Sequence, residues 1–290
     1  MSIKKALIEG FNQTWQHKKL IFLIYAISLL FAVFGAYPFK MLLEKTVGNS
    51  LMVKDIVAGF NYEFINDFNN NYGVALSPIF NQSTIIIIFF LLLMIFFSGG
   101  IISVFIENEN KRSKEIFWTK SACFFWKIFR LTLLFIFIHI FFISCFYNIF
   151  YQTVEGFSLF ELESDGSISY TLKIILPIYL IVVSLFFMLQ DYSKILIVKS
   201  KKKWLFQTVF CAFKFIMKNF LRVYCLYMIN ILLWVIFILI NYYLSLTITF
   251  NTGIDILFSF LLTQIFVLIR LSLKFINIGS IIEIHKQSPN

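Results

Sequence analysis

The chain has 290 residues, of which 60% are hydrophobic and 14% are charged, and its mean hydropathy is +0.85. An average soluble domain is about 45–50% apolar and about 25% charged, so these values exclude a soluble globular protein, a disordered chain and a disulfide scaffold. They indicate an integral membrane protein. Its net charge of +10 indicates contact with anionic lipid headgroups rather than with nucleic acid, because lysines mark the cytoplasmic loops of membrane proteins.

Six apolar segments are each long enough to cross a bilayer, which takes about 20 residues in a helix. They leave little of the chain for a separate soluble domain, so we interpret residues 1–290 as one integral membrane domain. The predicted fold is all-α: a polytopic membrane protein of six transmembrane helices with amphipathic interfacial helices. The predicted spans are Leu20–Leu43, Ser83–Ile106, Ile128–Phe150, Leu172–Gln190, Val223–Leu246 and Ile256–Ile276.

The distribution of basic residues predicts which side of the membrane each loop faces. With both termini in the cytoplasm, 21 of the 25 Lys and Arg residues fall on the cytoplasmic side. The four that fall outside are Lys40, Lys45, Lys54 and Lys173. The positive-inside rule therefore favours cytoplasmic termini.

Three cytoplasmic segments combine basic and aromatic residues and lead directly into a span. In the first, Phe11 and Trp15 lie one helical turn apart, on a face flanked by lysines. The segments at 107–130 and 191–222 share this composition, which is typical of helices in the membrane interface. Two interpretations of the threefold arrangement stay open: an internal triplication, or the ordinary pattern of a six-span protein with basic inner loops.

The two longer outer loops are predicted to differ from each other. Within Glu44–Gln82, apolar residues at helical spacing predict an amphipathic helix that ends at the run Asn69–Gly73. The loop Gln152–Thr171 carries acidic residues and no basic residue, which predicts a polar, solvated turn.

Small and polar residues within the spans predict helix contacts. Ser28 and Ala32 form a small-residue stripe on the first span, and Gly99 belongs to another on the second, so we expect these two stripes to face each other. His139 and Asn230 are isolated polar residues in apolar spans, and we expect each to form a hydrogen bond to a neighbouring helix.

The sequence contains no motif of an established catalytic class. The nucleophile elbow, the phosphate-binding loop, the dinucleotide fingerprint and the zinc-protease motif are all missing from it. His17, His139 and His285 are its three histidines, and no pair of them has metal-ligand spacing. We therefore expect no enzymatic activity, no cofactor and no metal ion.

Arg270 is the most informative charge in the sequence. It lies about 14 residues into the sixth span, where a charge is costly and usually pairs or faces a polar interior. One interpretation is a polar site open to the cytoplasm and formed by Arg270, Asp191, Gln264 and Glu107. The other is that Arg270 extends its long side chain to the inner headgroups.

Three stretches carry a resemblance to known proteins: Gly99-Gly100, the aromatic run from Phe117 to Trp126, and Asp191-Tyr192-Ser193-Lys194. Over nearly its whole length the chain resembles a group of uncharacterised six-span bacterial membrane proteins, similar to the membrane domain attached to some glycerophosphodiester phosphodiesterases. The resemblance implies a bacterial inner-membrane location. It implies no activity, because the catalytic residues of those enzymes belong to a soluble barrel that this sequence lacks.

Two functions are compatible with these features. The first is a non-enzymatic membrane protein that organises lipid or partner proteins. The alternative is a small-molecule or lipid transporter with a cytoplasm-facing polar site near Arg270. A transporter requires polar residues from several spans to converge at mid-depth, whereas the organising role requires no such cavity.

Overall fold

The protein is described by a computed structural model that covers residues 3–46, 62–107, 113–161, 166–200, 204–247 and 253–287. These residues are helical apart from Trp204 and the turns at His17 and Asn219, which confirms the all-α prediction. The helices in this part of the chain are α1 (Ile3–Gln16), α2 (Lys18–Thr46), α3 (Tyr62–Glu107), α4 (Ser113–Glu161), α5 (Gly166–Ser200), α6 (Leu205–Lys218), α7 (Phe220–Thr247) and α8 (Gly253–Gln287).

Six of these helices are long and apolar enough to cross a membrane: α2, α3, α4, α5, α7 and α8. Each contains one of the predicted spans, and the predicted number of six membrane-spanning helices is confirmed. Large apolar side chains along them are exposed at the protein surface, including Phe34 and Phe89 at 62% and Phe141 at 64%. Apolar surface in water costs about 25 cal/mol per Å², so these faces require a covering of lipid.

α3 continues through the point where the sequence predicted a helix end. It has 46 residues, and Asn69–Gly73 lies in its interior, so the predicted end at this run is wrong. Phe68 and Leu76 are buried against α2, and this packing outweighs the roughly 1 kcal/mol that a glycine costs in a helix. Residues 47–61 of the same predicted loop lie outside the described residues.

The predicted solvated turn at Gln152–Thr171 is also mostly helical. α4 extends to Glu161 and α5 begins at Gly166, which leaves only a few residues between them. No proline interrupts residues 152–161, so the helix continues and satisfies its backbone hydrogen bonds internally. α4 has 49 residues, and at about 1.5 Å per residue it is far longer than a bilayer core of about 30 Å requires.

The chain divides into two compact units. The first unit comprises Met1–Ile3, Ile95–Tyr227 and Ile281–Asn290, and the second unit comprises Lys4–Met94 and Met228–Ser280. A boundary between the units falls within each of α1, α3, α7 and α8. Each unit is therefore assembled from segments that are distant in sequence.

Burial is concentrated at one end of the helices. We define the basic end of each helix as the end that adjoins residues 3–19, 107–130, 191–222 or 274–287, where most of the Lys and Arg residues lie. The largest fully buried side chains lie in these segments or within about three helical turns of them. They are Ile24, Phe97, Phe105, Phe117, Ile128, Leu131, Phe135, Met188, Tyr192, Ile195, Leu226 and Phe275.

In the first unit, α3 packs closely on α4 at their basic ends. A Cβ atom placed on Gly100 would lie 2.8 Å from Cδ2 of Phe117, and one placed on Gly99 would lie 3.0 Å from Cβ of Phe124. The absence of a side chain at Gly100 therefore permits this helix spacing. From the sequence, we predicted that Gly99 contacts the first span. In the structure, the space beside Gly99 is occupied by residues of α4.

Candidate membrane-interface surface and the predicted polar site

α1 docks on α8 through the side of the helix that carries its smallest residues. Ala6 and Gly10 are buried, and a Cβ atom placed on Gly10 would lie 2.6 Å from the carbonyl oxygen of Ile276 and 2.8 Å from the amide nitrogen of Ser280. The hydroxyl of Thr14 donates a hydrogen bond of 2.7 Å to the carbonyl oxygen of Gly10. The backbone of α1 can approach α8 this closely because Gly10 has no side chain.

The opposite side of α1 presents large aromatic residues. Phe11 is 54% exposed and Trp15 is 65% exposed, and their rings stack with centroids 6.5 Å apart. The ammonium group of Lys18 lies 5.0 Å from the centroid of the Trp15 ring, within the range of a cation–π interaction. In a soluble protein such aromatic residues would face the core. In α1 they point outward, as in a helix that inserts its apolar face into the membrane interface.

α6 also buries one side, in the first unit. Its buried residues are Thr208, Ala212 and Ile216. The ring of Phe215 lies between two others: its centroid is 5.5 Å from that of Tyr192 on α5 and 4.8 Å from that of His285 on α8, with the latter pair nearly parallel at 12°. α6 is therefore held against the basic ends of both helices.

A hydrogen bond also joins the ends of α5 and α8 against which α6 packs. Nζ of Lys199 lies 3.0 Å from Nδ1 of His285. An ammonium group can only donate, so Nδ1 accepts the hydrogen bond and the imidazole carries its proton on Nε2. The ring that stacks on Phe215 is therefore a neutral imidazole.

The outward face of α6 is an aromatic stripe. Its members recur at intervals of four, three and four residues, which places them on one side of a helix, and they are 49–73% exposed. They are Phe206, Phe210, Phe213 and Met217. α1 and α6 thus share one arrangement, in which one side is buried against the protein and the aromatic side faces outward.

The third predicted interfacial segment has a different structure. Residues 113–130 belong to α4 and continue into its span without a turn, whereas turns at His17 and Asn219 separate α1 and α6 from the helices that follow. Phe117 and Phe124 are buried, and Trp126 is 64% exposed. The amphipathic composition is therefore present in all three segments, but a separate helix forms in two of them.

The two carboxylates of the predicted polar site are each engaged by a lysine. Oε1 of Glu107 lies 3.5 Å from Nζ of Lys120, and Oδ1 of Asp191 lies 3.2 Å from Nζ of Lys194. Both pairs are within the first unit. From the sequence, we considered both carboxylates as ion-pair partners of Arg270. We did not identify Lys120 and Lys194 as alternative partners of these carboxylates.

The other two residues of the predicted site lie on α8 in the second unit. Oε1 of Gln264 accepts a hydrogen bond of 3.0 Å from the hydroxyl of Tyr25 on α2. Arg270 is exposed, and its Cζ atom lies 5.9 Å from the centroid of the Trp234 ring on α7. The structure thus pairs each of the four predicted residues with a different neighbour.

The isolated polar residues have two different outcomes. Nδ2 of Asn230 on α7 donates a hydrogen bond of 3.3 Å to Oδ1 of Asn277 on α8, and both residues are buried, so the predicted interhelical bond is confirmed. For His139 the predicted hydrogen bond to a neighbouring helix is wrong. Nδ1 of His139 lies 2.7 Å from the carbonyl oxygen of Phe135 on the same helix, and its ring packs on that of Phe187.

Sequence reasoning missed Trp234 and Asn277, although a signal for Asn277 was present. Asn277 lies seven residues after Arg270, so the two share one face of α8, and that face contacts α7 through both residues. The contact between Arg270 and Trp234 depends on the register between α7 and α8. No local sequence pattern specifies that register.

Among the described residues, no three His, Cys, Asp or Glu side chains are grouped as metal ligands would be. Comparison with known protein families, with curated proteins and with solved structures finds no match to this chain. Its function must therefore be argued from its own geometry.

Proposed function

We propose that this chain is a non-enzymatic protein of the bacterial cytoplasmic membrane that binds anionic phospholipids of the inner leaflet and organises them around its basic ends. The observation that supports this proposal is the design shared by α1 and α6. Each helix buries one side against the protein and exposes an aromatic face, which leaves that aromatic face free to contact lipid.

Charge adds to this affinity. An interfacial helix binds through its buried apolar area and through attraction to anionic headgroups, with each Lys near the surface contributing about 1 kcal/mol. The exposed lysines of α1, α6 and the residues that follow α1 are Lys4, Lys5, Lys18, Lys19, Lys214 and Lys218. This charge favours phosphatidylglycerol over a zwitterionic lipid.

The same reasoning supports an orientation with both termini in the cytoplasm. The basic ends hold most of the Lys and Arg residues, and the positive-inside rule places such segments on the cytoplasmic side. The resemblance to six-span bacterial proteins agrees with a location in the inner membrane.

The proposal is tested by measuring which lipids accompany the protein. The full chain is reconstituted into nanodiscs of mixed phosphatidylglycerol and phosphatidylcholine, extracted gently with detergent, and its retained lipids are quantified. We expect enrichment of phosphatidylglycerol that falls in the double variants Phe11→Ser/Trp15→Ser and Phe206→Ser/Phe210→Ser. Val74→Ser is the matched control, because Val74 is a 92% exposed apolar residue of α3 outside the predicted span. Unchanged enrichment in both double variants would contradict the proposal.

The transporter alternative receives less support from the geometry. Glu107 and Asp191 are each paired with a lysine of the first unit, and Arg270 lies at the protein surface over an aromatic ring. A transport site would need these groups to converge on a shared substrate. We therefore place lipid organisation first.

A further inference from the structure

The guanidinium group of Arg270 has unused hydrogen-bond donors. It carries five N–H groups, and among the described residues its one interaction is with the ring of Trp234. An aromatic face attracts the positive charge but accepts none of the in-plane hydrogen bonds that a guanidinium can form. Unsatisfied donors are costly in a membrane, so these donors are available to a ligand from outside the protein.

The position of Arg270 is fixed by the two helices around it. Trp234 on α7 provides the platform, and the hydrogen bond between Asn230 and Asn277 joins α7 to α8 closer to the basic end. This bond lies about one turn from Trp234 and about two turns from Arg270. This buried bond restricts sliding and rotation of the two helices. The pair of Arg270 and Trp234 is therefore presented in one geometry at the surface of the second unit.

The depth of Arg270 identifies the ligand within reach. It lies six residues before Ile276, the predicted end of the span, which corresponds to about 9 Å along the helix. A long arginine side chain can extend over most of that distance toward the headgroups. The chemical group that a guanidinium binds best at this level is a phosphate, because its planar N–H groups match two phosphate oxygens.

We propose that Arg270, held by Trp234, binds the phosphate of an anionic phospholipid at the surface formed by α7 and α8. Phosphatidylglycerol is favoured over phosphatidylcholine because no cationic group adjoins its phosphate. The site deepens the proposed function and rests on it, since it requires the basic ends to face a leaflet that contains anionic lipid. It differs from the aromatic faces of α1 and α6 in holding one lipid at one position.

The test is native mass spectrometry of the full chain in detergent, titrated with phosphatidylglycerol. We expect one tightly bound lipid in the parent, and about a tenfold loss of affinity for it in Arg270→Gln, because a charge-assisted bidentate contact is removed. Trp234→Leu should lower the affinity about threefold through loss of the cation–π platform. Lys45→Gln removes an exposed positive charge from α2 outside the basic ends and is the matched control for the change in net charge, so its affinity should be unchanged.

The outcomes separate this site from the proposed function. Phe206→Ser/Phe210→Ser should reduce the number of weakly bound lipids and leave the tightly bound lipid in place. Arg270→Gln should weaken binding of the tightly bound lipid and leave the number of weakly bound lipids unchanged. Parent-like affinity in Arg270→Gln, or an equal loss in Lys45→Gln, would overturn the site. The nanodisc enrichment tests the proposed function independently of this result. Displacement of the lipid by millimolar inorganic phosphate would identify a site for the free ion and overturn the lipid assignment. If the Gln variant does not fold, Arg270→Lys keeps the charge and loses the planar fork, and unchanged affinity in it is again contrary to the proposal.

Discussion

The basic ends of the helices and their opposite ends differ in how closely neighbouring backbones approach. At the basic ends, a Cβ atom on Gly10 or Gly100 would overlap a neighbouring helix, whereas a Cβ atom on Gly35 or Gly253 would have nothing within 4 Å. Gly100 and Gly35 nevertheless both lie in strongly apolar helices. The difference shows that hydrophobicity alone does not decide which part of a span packs against protein.

The physical reason is the solvent. Lipid tails are as apolar as leucine, so helices in a membrane gain little from burying apolar side chains against each other. They associate where small residues permit close van der Waals contact and where polar groups can pair. Gly10, Gly100 and the bond between Asn230 and Asn277 provide these conditions toward the basic ends.

The prediction with the largest expected effect concerns chemical labelling, which tests the side of the membrane that each end of the helices faces. In a variant without native cysteines, a cysteine at Asn70 should react with a membrane-impermeant maleimide in intact cells. A cysteine at Lys214 should react only after permeabilisation, because we propose that the basic ends face the cytoplasm. Both residues are exposed in the structure. Labelling with the opposite accessibility would contradict the proposed orientation.

The second prediction concerns packing between α3 and α4. Gly100→Leu should lower the free energy of unfolding by about 3 kcal/mol or more, because the side chain must displace Phe117 and separate the two helices. Unfolding is measured by titration with sodium dodecyl sulfate in micelles. Gly35→Leu is the matched control and should have a much smaller effect. Equal destabilisation at both positions would remove the contrast between the two ends.

The third prediction concerns the buried hydrogen bond. Asn230→Leu and Asn277→Leu should each destabilise the protein by about 1 kcal/mol, since each leaves the other amide without this partner. In a double-mutant cycle the coupling energy should be about 0.6 kcal/mol, the average for such bonds between membrane helices. Additive losses would mean that the two amides do not stabilise each other.

The smallest expected effect has the opposite sign. Gly35→Ala should raise the free energy of unfolding by about 0.5 kcal/mol, because alanine favours the helical conformation of α2. The added methyl group would have nothing within 4 Å to displace. The same titration measures it. A loss of stability would indicate that another molecule packs on this face.

The parts of the fold that could be predicted are those encoded by many residues together. Each span is specified by about 20 apolar residues, and the prediction does not depend on any one of them. The faces of α1 and α6 follow from spacings of three and four residues, such as that between Phe11 and Trp15. These signals are local and are therefore visible in the sequence.

The parts that could not be predicted depend on contacts between distant segments. The run Asn69–Gly73 has the composition of a helix end, but burial of Phe68 against α2 keeps it helical. For Asp191, the competing Lys194 was within one helical turn and could have been recognised. Trp234 could not have been recognised, because nothing local sets the register that places it beside Arg270.

The docking of α1 on α8 has a consequence for how the protein is made. Gly10 is synthesised about 270 residues before its contacts Ile276 and Ser280. At about 5–20 residues per second, α1 waits roughly 10 to 60 s before its docking surface exists. The bond between Tyr25 and Gln264, separated by 239 residues, must also wait. The second unit can therefore close only after α8 has been synthesised, and a chain that stops before α8 would leave the buried side of α1 without its partner helix.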